Sequence, residues 1–428
     1  MYNEESNQPL PSKPDKSTLA PCFQPVLALD TRRIVGYEVL GRQRVDGGYR
    51  TLGPFFTDPR IDAGDQLEID RIIREQALAQ AARAGGDGER PQLFLNLKPS
   101  WMYEQYQETG ELLTLQLIHK YGIEPSRIVI EVTEEAFLGS MQVLREIIDV
   151  YRAHGCQIAI DDVGKGFSNA DRIAQIAPSL LKVDIHMMKQ SASDYGYFGA
   201  LRSFSTLAEQ IGASLLIEGI ETREDLRRAI EIGARYAQGY LFAPAEPQFR
   251  AAGEFAGLIE EELEAHRMSL LAVERRWRRA AGRLKRQVGA VHAEAVASPA
   301  ADADRLGADA AELADRLIEQ LLPLLDDSCI RVYLCREDGQ QLSSNYVREG
   351  RGGAWRRQSG YRGSNWSWRP YFVSNLLALE GRADAMVSRT YTDLETRTRI
   401  RTMSVHTAAS GVLFVDRIDH DALQPHAY

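Results

Sequence analysis

From about residue 20 to 245, short apolar and β-branched runs alternate with amphipathic stretches. Runs at 23–29, 92–97, 127–132, 157–160, 180–185, 214–217 and 235–241 read as strands. Stretches at 67–82, 110–121, 141–154, 204–211 and 223–232 carry apolar residues at helical spacing between them. Repeated strand–helix units predict a parallel sheet with helices outside it. Roughly 230 residues of such repeats fit a closed, TIM-like (β/α)8 barrel. The competing arrangement is an open doubly wound sheet, but no glycine-rich phosphate turn follows the first strand.

Near residue 254 the pattern changes. The stretch 254–295 reads as one long helix, acidic at first (Glu260, Glu261, Glu262, Glu264) and then basic (Arg275, Arg276, Arg278, Arg279, Arg283, Lys285, Arg286). The basic part reads as a solvated linker or coiled-coil face, with a polyanion-binding face as the alternative. Small residues around Pro299 predict a break, and 304–325 a second helix. Strand-like runs return at 330–335, 385–390, 399–406 and 411–415, as in an antiparallel sheet. The expected organisation is a disordered polar tail (1–18), a barrel (19–250), a helical linker (251–304) and a small α+β domain (305–428).

Composition narrows the partners. A net charge of −9 argues against broad nucleic-acid binding, so DNA is not an expected ligand. The first 17 residues lack the apolar core of a signal peptide, and no apolar run approaches a membrane span. The expected compartment is the cytoplasm. Cys22, Cys156, Cys329 and Cys335 form no CxxC pair and read as buried free thiols.

Active sites of β/α barrels lie at the C-terminal ends of the strands, so the residues just past each run matter. There stand Glu38, Asn96, Glu131, Asp161 with Asp162, Lys182 with Asp184, Glu218 and Gln238. One acid after a strand is usually a helix N-cap. Seven successive strand ends bearing oxygen ligands or donors are not explained that way. Clustered carboxylates repel unless a cation neutralises them, and hard oxygen donors select Mg²⁺, Mn²⁺ or Ca²⁺ over zinc. So many carboxylates in one mouth suit two metal ions, which activate water and stabilise both oxygens of an in-line displacement at phosphorus.

The motifs Phe-Gln-Pro-Val, Gly-Tyr-Glu-Val-Leu-Gly-Arg, Leu-Asn-Leu-Lys-Pro, Glu-Val-Thr-Glu, Asp-Asp-Val-Gly-Lys-Gly-Phe-Ser-Asn, Leu-Lys-Val-Asp, Glu-Gly-Ile-Glu and Gln-Gly-Tyr-Leu-Phe occur in this order. Over about residues 20–246 the chain resembles the EAL domains, metal-dependent phosphodiesterases that linearise cyclic di-GMP to pGpG. The resemblance implies that Glu38, Asn96, Glu131 and Asp161 hold one Mg²⁺ or Mn²⁺, with Asp161 bridging to a second near Asp162 and Asp184. It implies Ca²⁺ binding without turnover and a homodimer. Lys182 then orients the attacking water, Glu218 acts beside it, and Gln238 positions the surrounding shell. Glu134 braces the loop after Asp162, Arg42 meets a substrate phosphate, and Gln24 and Leu40 line the nucleotide pocket. This sequence departs from the family at Val163, where a Phe is usual, at Lys165, where Thr or Ser is usual, and at Ile217, where a small residue is usual.

Barrel, long helix and small α+β domain together resemble the YkuI-type architecture, whose last part is a PAS-like or Cache-like sensor. There Trp366, Trp368, Arg369, Tyr371, Tyr391 and Asp393 could close around an unknown small-molecule ligand. The alternative is that the two tryptophans are core and Arg369 is exposed. Gly85-Gly86-Asp87-Gly88-Glu89 looks like a cyclase signature, but no cyclase domain surrounds it and it reads as a turn. His420-Asp421 lacks the clustered histidines of the HD-type phosphodiesterases.

Overall fold

The computed structural model describes residues 13–84, 90–132, 140–164, 170–297, 309–350, 352–380, 385–407 and 411–420. Glu134, the 85–89 turn, Lys165 and the rest of its loop, Pro299 and the start of the second helix lie outside them. The chain divides into two compact units, Met1–His266 and Arg267–Tyr428.

The first unit is built on β1 (Leu19–Ala28), β2 (Arg33–Val45), β3 (Gly48–Thr51), β4 (Gln92–Leu97), β5 (Ile128–Val132), β6 (Gln157–Val163), β7 (Leu180–Val183), β8 (Ser214–Ile217) and β9 (Tyr236–Ala237). Eight of them close a barrel in the order β1-β9-β8-β7-β6-β5-β4-β2, with β2 paired back to β1. β3 is a hairpin extension of β2. The sheet is not wholly parallel, as the sequence predicts. β1 runs antiparallel to both β2 and β9, while the remaining barrel pairs are parallel. The cause is the short 29–32 turn, closed by Arg32 in the left-handed region (φ 56°). Such a turn leaves no room for a crossover helix, and only an antiparallel return fits.

The inside of the barrel is layered by the two-residue period of its strands. Val26, Phe94, Val129, Ala159, Leu180 and Leu216, one from each of six strands, form a buried apolar cluster. Tyr236 packs against it. On β2 the same level is held by Gly36, where a Cβ would stand 2.7 Å from the Phe94 ring. Two residues further toward the mouth, the apolar layer gives way to a polar one.

The second unit is a seven-stranded antiparallel sheet of β10 (Cys329–Cys335), β11 (Asn345–Arg348), β12 (Trp355–Gln358), β13 (Met386–Val387), β14 (Tyr391–Thr392), β15 (Arg399–Thr407) and β16 (Gly411–Ile418). The short strands β11, β12 and β14 are not anticipated in the sequence. Alternation puts Val332, Leu334, Leu413 and Val415 on one face with the helix Ala310–Leu321. Tyr333, Cys335, Val412 and Phe414 go to the other face with Phe372 and Leu379.

The expected linker is instead part of both cores. A 42-residue helix, Ala256–Ala297, begins with Ile259 fully buried against the barrel. Its buried Glu262 is held there by Arg227 at 2.5 Å and Arg223 at 3.2 Å. From Trp277, the residues Ala280, Ala281, Leu284, Val288 and Val291 recur at helical spacing and belong to the core of the second unit. All seven basic residues between 275 and 286 are exposed, as for a solvated face. The expected tail is ordered from residue 13, where Lys13 and Lys16 pair with Asp65 and Glu68 of the helix Ala63–Arg83. The four cysteines are buried and free, and burial pushes the Cys156 thiol up to about 11.

Because the barrel buries Ile259, a fragment of residues 1–266 is expected to outlast one of 1–250 by about 2–4 kcal/mol. Thermal melts that coincide for the two fragments would contradict this.

Candidate functional site

Two residues past the apolar layer, every barrel strand presents a polar group: Gln24, Glu38, Asn96, Glu131, Asp161, Lys182, Glu218 and Gln238. The centre is Lys182, which is 1% exposed. Its Nζ lies 2.6 Å from Glu218 Oε1, 2.7 Å from Glu131 Oε1, 3.2 Å from Asp161 Oδ1 and 3.8 Å from Glu38 Oε1. These are ion pairs without hydrogen-bond alignment. Lys182 Nζ, both Glu131 oxygens and Glu218 Oε1 are buried with no hydrogen-bond partner among the described residues.

One side of the ring is rigidly held. Asn96 Nδ2 donates to Glu38 Oε1 at 2.8 Å, and Gln238 Nε2 donates to Glu38 Oε2 at 2.7 Å. Gln238 Nε2 also reaches Gln24 Oε1 at 3.3 Å. Gln238 can follow β9 this way only because Gly239 comes next. At φ 158° its backbone passes Ile220 so closely that a Cβ would stand 2.1 Å from the Ile220 carbonyl oxygen.

Asp162 is out of phase with the inward face, and a bulge corrects it. Between the pairs Ile160–Leu181 and Val163–Val183, β6 has one residue more than β7. Asp162 takes a left-handed conformation (φ 57°), costly for a non-glycine residue, and its N–H donates to Asp161 Oδ1 at 2.9 Å. As a result Asp161, Asp162 and Glu218 each offer an oxygen within 4.8 Å of the others. Asp184 is in phase but caps the helix Ile185–Gln190, accepting from the His186 N–H at 2.7 Å.

Burial pushes the Glu131 carboxyl well above the usual range; Lys182 opposes this, and the neighbouring acids add to it. Glu218 is raised in the same way. Burial pulls Lys182 down, but Asp161, Glu131, Glu218 and Glu38 together more than reverse this and hold it protonated.

Beside the ring a cavity of about 500 Å³ is lined by Leu40, Arg42, Asn96, Lys98, Trp101 and their neighbours. Arg42 extends along it, donating to Gly41 O at 3.0 Å. Lys98 is missing from the sequence analysis although it lies two residues past Asn96, in the same phase. Its ammonium sits 4.5 Å from the Trp101 ring centre.

In the second unit the six candidate pocket residues are engaged with the protein itself. Asp393 forms a two-pronged pair with Arg331 (2.9 and 3.1 Å), and Asp416 adds a third contact at 2.9 Å. Burial opposes the Asp393 charge, but Arg331 and Thr396 overcome it and hold the carboxyl down to about 2. Tyr371 stacks on Tyr391, whose hydroxyl is 2.7 Å from Thr402 Oγ1. Trp366 donates to Gln341 Oε1 at 2.7 Å, Trp368 is 64% exposed, and Arg369 lies over both rings.

This closed barrel gathers acids and amides at its strand ends, an oxygen donor set chemically suited to divalent cations. The chain matches the EAL-domain family model over residues 8–245, and that of the EAL-domain associated signalling protein domain over residues 305–423. It belongs to the EAL-domain family. It is 35% identical to the EAL-domain containing protein YkuI of Bacillus subtilis over 407 residues, 92% of this chain and 93% of YkuI. The crystal structure of YkuI in complex with substrate c-di-GMP and calcium superposes with a TM-score of 0.82 at 32% identity, covering 95% of this chain and 98% of that one. The cyclic di-GMP phosphodiesterase RocR of Pseudomonas aeruginosa is 28% identical over 232 residues, 53% of this chain and 57% of RocR. Among the described residues, no helix is long and apolar enough to cross a membrane.

Replacing Lys182 with Met leaves buried carboxylates without their cation. In a chelator the variant is expected to lose about 3–5 kcal/mol of stability, and Mn²⁺ is expected to narrow the gap. Unchanged melting in the chelator would refute the central role of this ammonium.

Proposed function

We propose that the chain is a phosphodiesterase that opens cyclic di-GMP to linear pGpG with two divalent cations, Mg²⁺ or Mn²⁺, at the strand-end ring. The observation that carries this reading is the charge imbalance around Lys182. Glu38, Glu131, Asp161 and Glu218 contact one ammonium and Asp162 stands beside Asp161 and Glu218, which leaves four negative charges among these five acids when all are ionised. Two divalent cations match that deficit. The donor set fits them, being oxygen throughout, and buried oxygens of Glu131 and Glu218 have no other hydrogen-bond partner among the described residues. Glu38, Asn96, Glu131 and Asp161 would hold one ion, and Asp161, Asp162 and Asp184 the other. Such ions lower the pKa of water and offset charge on the phosphoryl oxygens.

The chain's own groups do the rest. Asn96 and Gln238 fix both oxygens of Glu38, so the ligand is oriented before substrate arrives. Lys182 keeps its proton and orients the attacking water, while Glu218 faces the same point. Arg42 offers a guanidinium fork to a substrate phosphate along the cavity that Leu40 borders, while Gln24 stands beside Gln238 in the ring. YkuI, bound to c-di-GMP and calcium, and RocR, a cyclic di-GMP phosphodiesterase, support this substrate. The second unit matches a domain associated with signalling, and its role here is to regulate the barrel.

A second reading, a cyclic di-GMP receptor with negligible turnover, is favoured by Val163 and Lys165 in the loop after Asp162. Chromatography of cyclic di-GMP incubated with the full chain and Mn²⁺ separates the two. The expected product is pGpG, lost by at least about a hundredfold in Glu38→Ala. Absence of pGpG at high protein concentration refutes the enzyme. If the loop limits the rate, Val163→Phe with Lys165→Thr is expected to raise turnover; no rise removes that explanation.

A further inference from the structure

At the opposite end of the barrel, where β2, β4 and β5 begin, lies a second cavity of about 520 Å³, lined by Arg33, Tyr37, Arg90, Arg127, Phe249 and their neighbours. The three strands that start at this cavity carry Glu38, Asn96 and Glu131 further along. Arg33, Pro91 and Arg127 precede those residues by five, five and four positions, roughly 13–16 Å of extended chain.

Arg127 is nine-tenths buried in this wall. Its Nε and Nη2 both donate to the Pro91 carbonyl, at 3.3 and 3.0 Å. That leaves Nη1 buried with no hydrogen-bond partner among the described residues. A buried guanidinium nitrogen without an acceptor costs the full desolvation of a charged donor. Burial and the repulsion of Arg90 lower the Arg127 pKa, and Glu124 opposes them only in part. No carboxylate belongs to the described lining. Arg250, also at the wall, is neutralised by Glu246 at 2.8 Å and by Glu254.

Apart from Thr31, the remaining wall is mostly apolar. Tyr37 and Phe249 pack with ring centres 4.8 Å apart, and Ile34, Val35, Ala81 and Ala252 complete it. Cations at one side of an apolar cavity of this size suit a small organic anion rather than a metal or an apolar ligand. A phosphate monoester fits better than a monocarboxylate, because a dianion can answer both Arg127 and Arg90.

We propose that this cavity is a second ligand site, separate from the strand-end ring, for a phosphate-bearing small molecule of mononucleotide size. The site goes beyond the proposed hydrolysis and does not depend on it. Calorimetry on the full chain in EDTA, which removes divalent cations from the ring, tests it with GMP, inorganic phosphate and guanosine. GMP is expected to bind saturably below about millimolar Kd, and phosphate to compete with it. Binding of phosphate as tight as that of GMP identifies free phosphate as the occupant, and tighter GMP binding identifies the nucleotide. The exposed pair Arg33→Glu and Arg90→Glu, which spares the buried Arg127, is expected to weaken binding at least about tenfold. Glu38→Ala is expected to leave it unchanged. The proposal is overturned if neither GMP nor phosphate binds, if guanosine binds as tightly as GMP, or if binding survives the arginine replacements and is lost in Glu38→Ala.

Discussion

Lys182 is buried inside the barrel, and its ammonium is the fixed positive charge in contact with Glu38, Glu131, Asp161 and Glu218. At an effective dielectric of about 20, unit charges some 3 Å apart interact by roughly 5 kcal/mol. Each buried ion also costs several kcal/mol of hydration. One ammonium therefore cannot satisfy four carboxylates. Burial first, and the neighbouring acids after it, push the Glu131 and Glu218 carboxyls above the usual range. Divalent cations would offset the same excess. The folding problem and the chemistry of the site thus share one electrostatic cause.

The barrel holds this arrangement because of strand phase. An apolar layer through Val26, Phe94, Val129, Ala159, Leu180 and Leu216 seals the interior. The polar ring sits two residues beyond it on each strand. That phase is readable in the sequence: Phe94 and Asn96, Val129 and Glu131, Leu180 and Lys182, Leu216 and Glu218 are all separated by two. The same rule picks out Lys98 above Asn96, which a search for strand-end acids passes over. Asp162 breaks the rule, since an adjacent pair of acids cannot both point inward on a regular strand. Its entry depends on the β6 bulge and a left-handed residue, and neither leaves a mark in local propensity. The antiparallel pairing of β1 with β2 follows from the length of the connecting turn rather than from the run itself.

The long helix shows where a pattern of charge misleads. Its acidic and basic blocks read as linker, yet the residues between the charges decide its place. Ile259 serves one core, and Trp277, Leu284 and Val288 serve the other. In the second unit, likewise, aromatic and charged residues that suggest a pocket are bound to one another. Arg331 gathers Asp393, Asp416 and Glu395, and Thr402 links Asp416 to Tyr391. A buried arginine shared by three acids ties these residues to one another, although its Nε finds no acceptor among the described residues.

The departure at Val163 acquires a physical meaning from its position. Val163 is the last residue of β6, fully buried and paired with Val183 across the bulge. A smaller apolar side chain there changes the packing beneath Asp162 without removing an oxygen donor. Gly164 follows at φ 104°, where a Cβ would stand 2.0 Å from Met187 Sδ, so the chain leaves the barrel along a path only glycine permits. The ring and the exit of its loop are therefore separate determinants. The first rests on strand phase and on Lys182. The second rests on the fit of Val163 and Gly164 against β7 and the helix that follows it. Substitutions confined to the second can change the exit of the loop while leaving intact the charge of the ring.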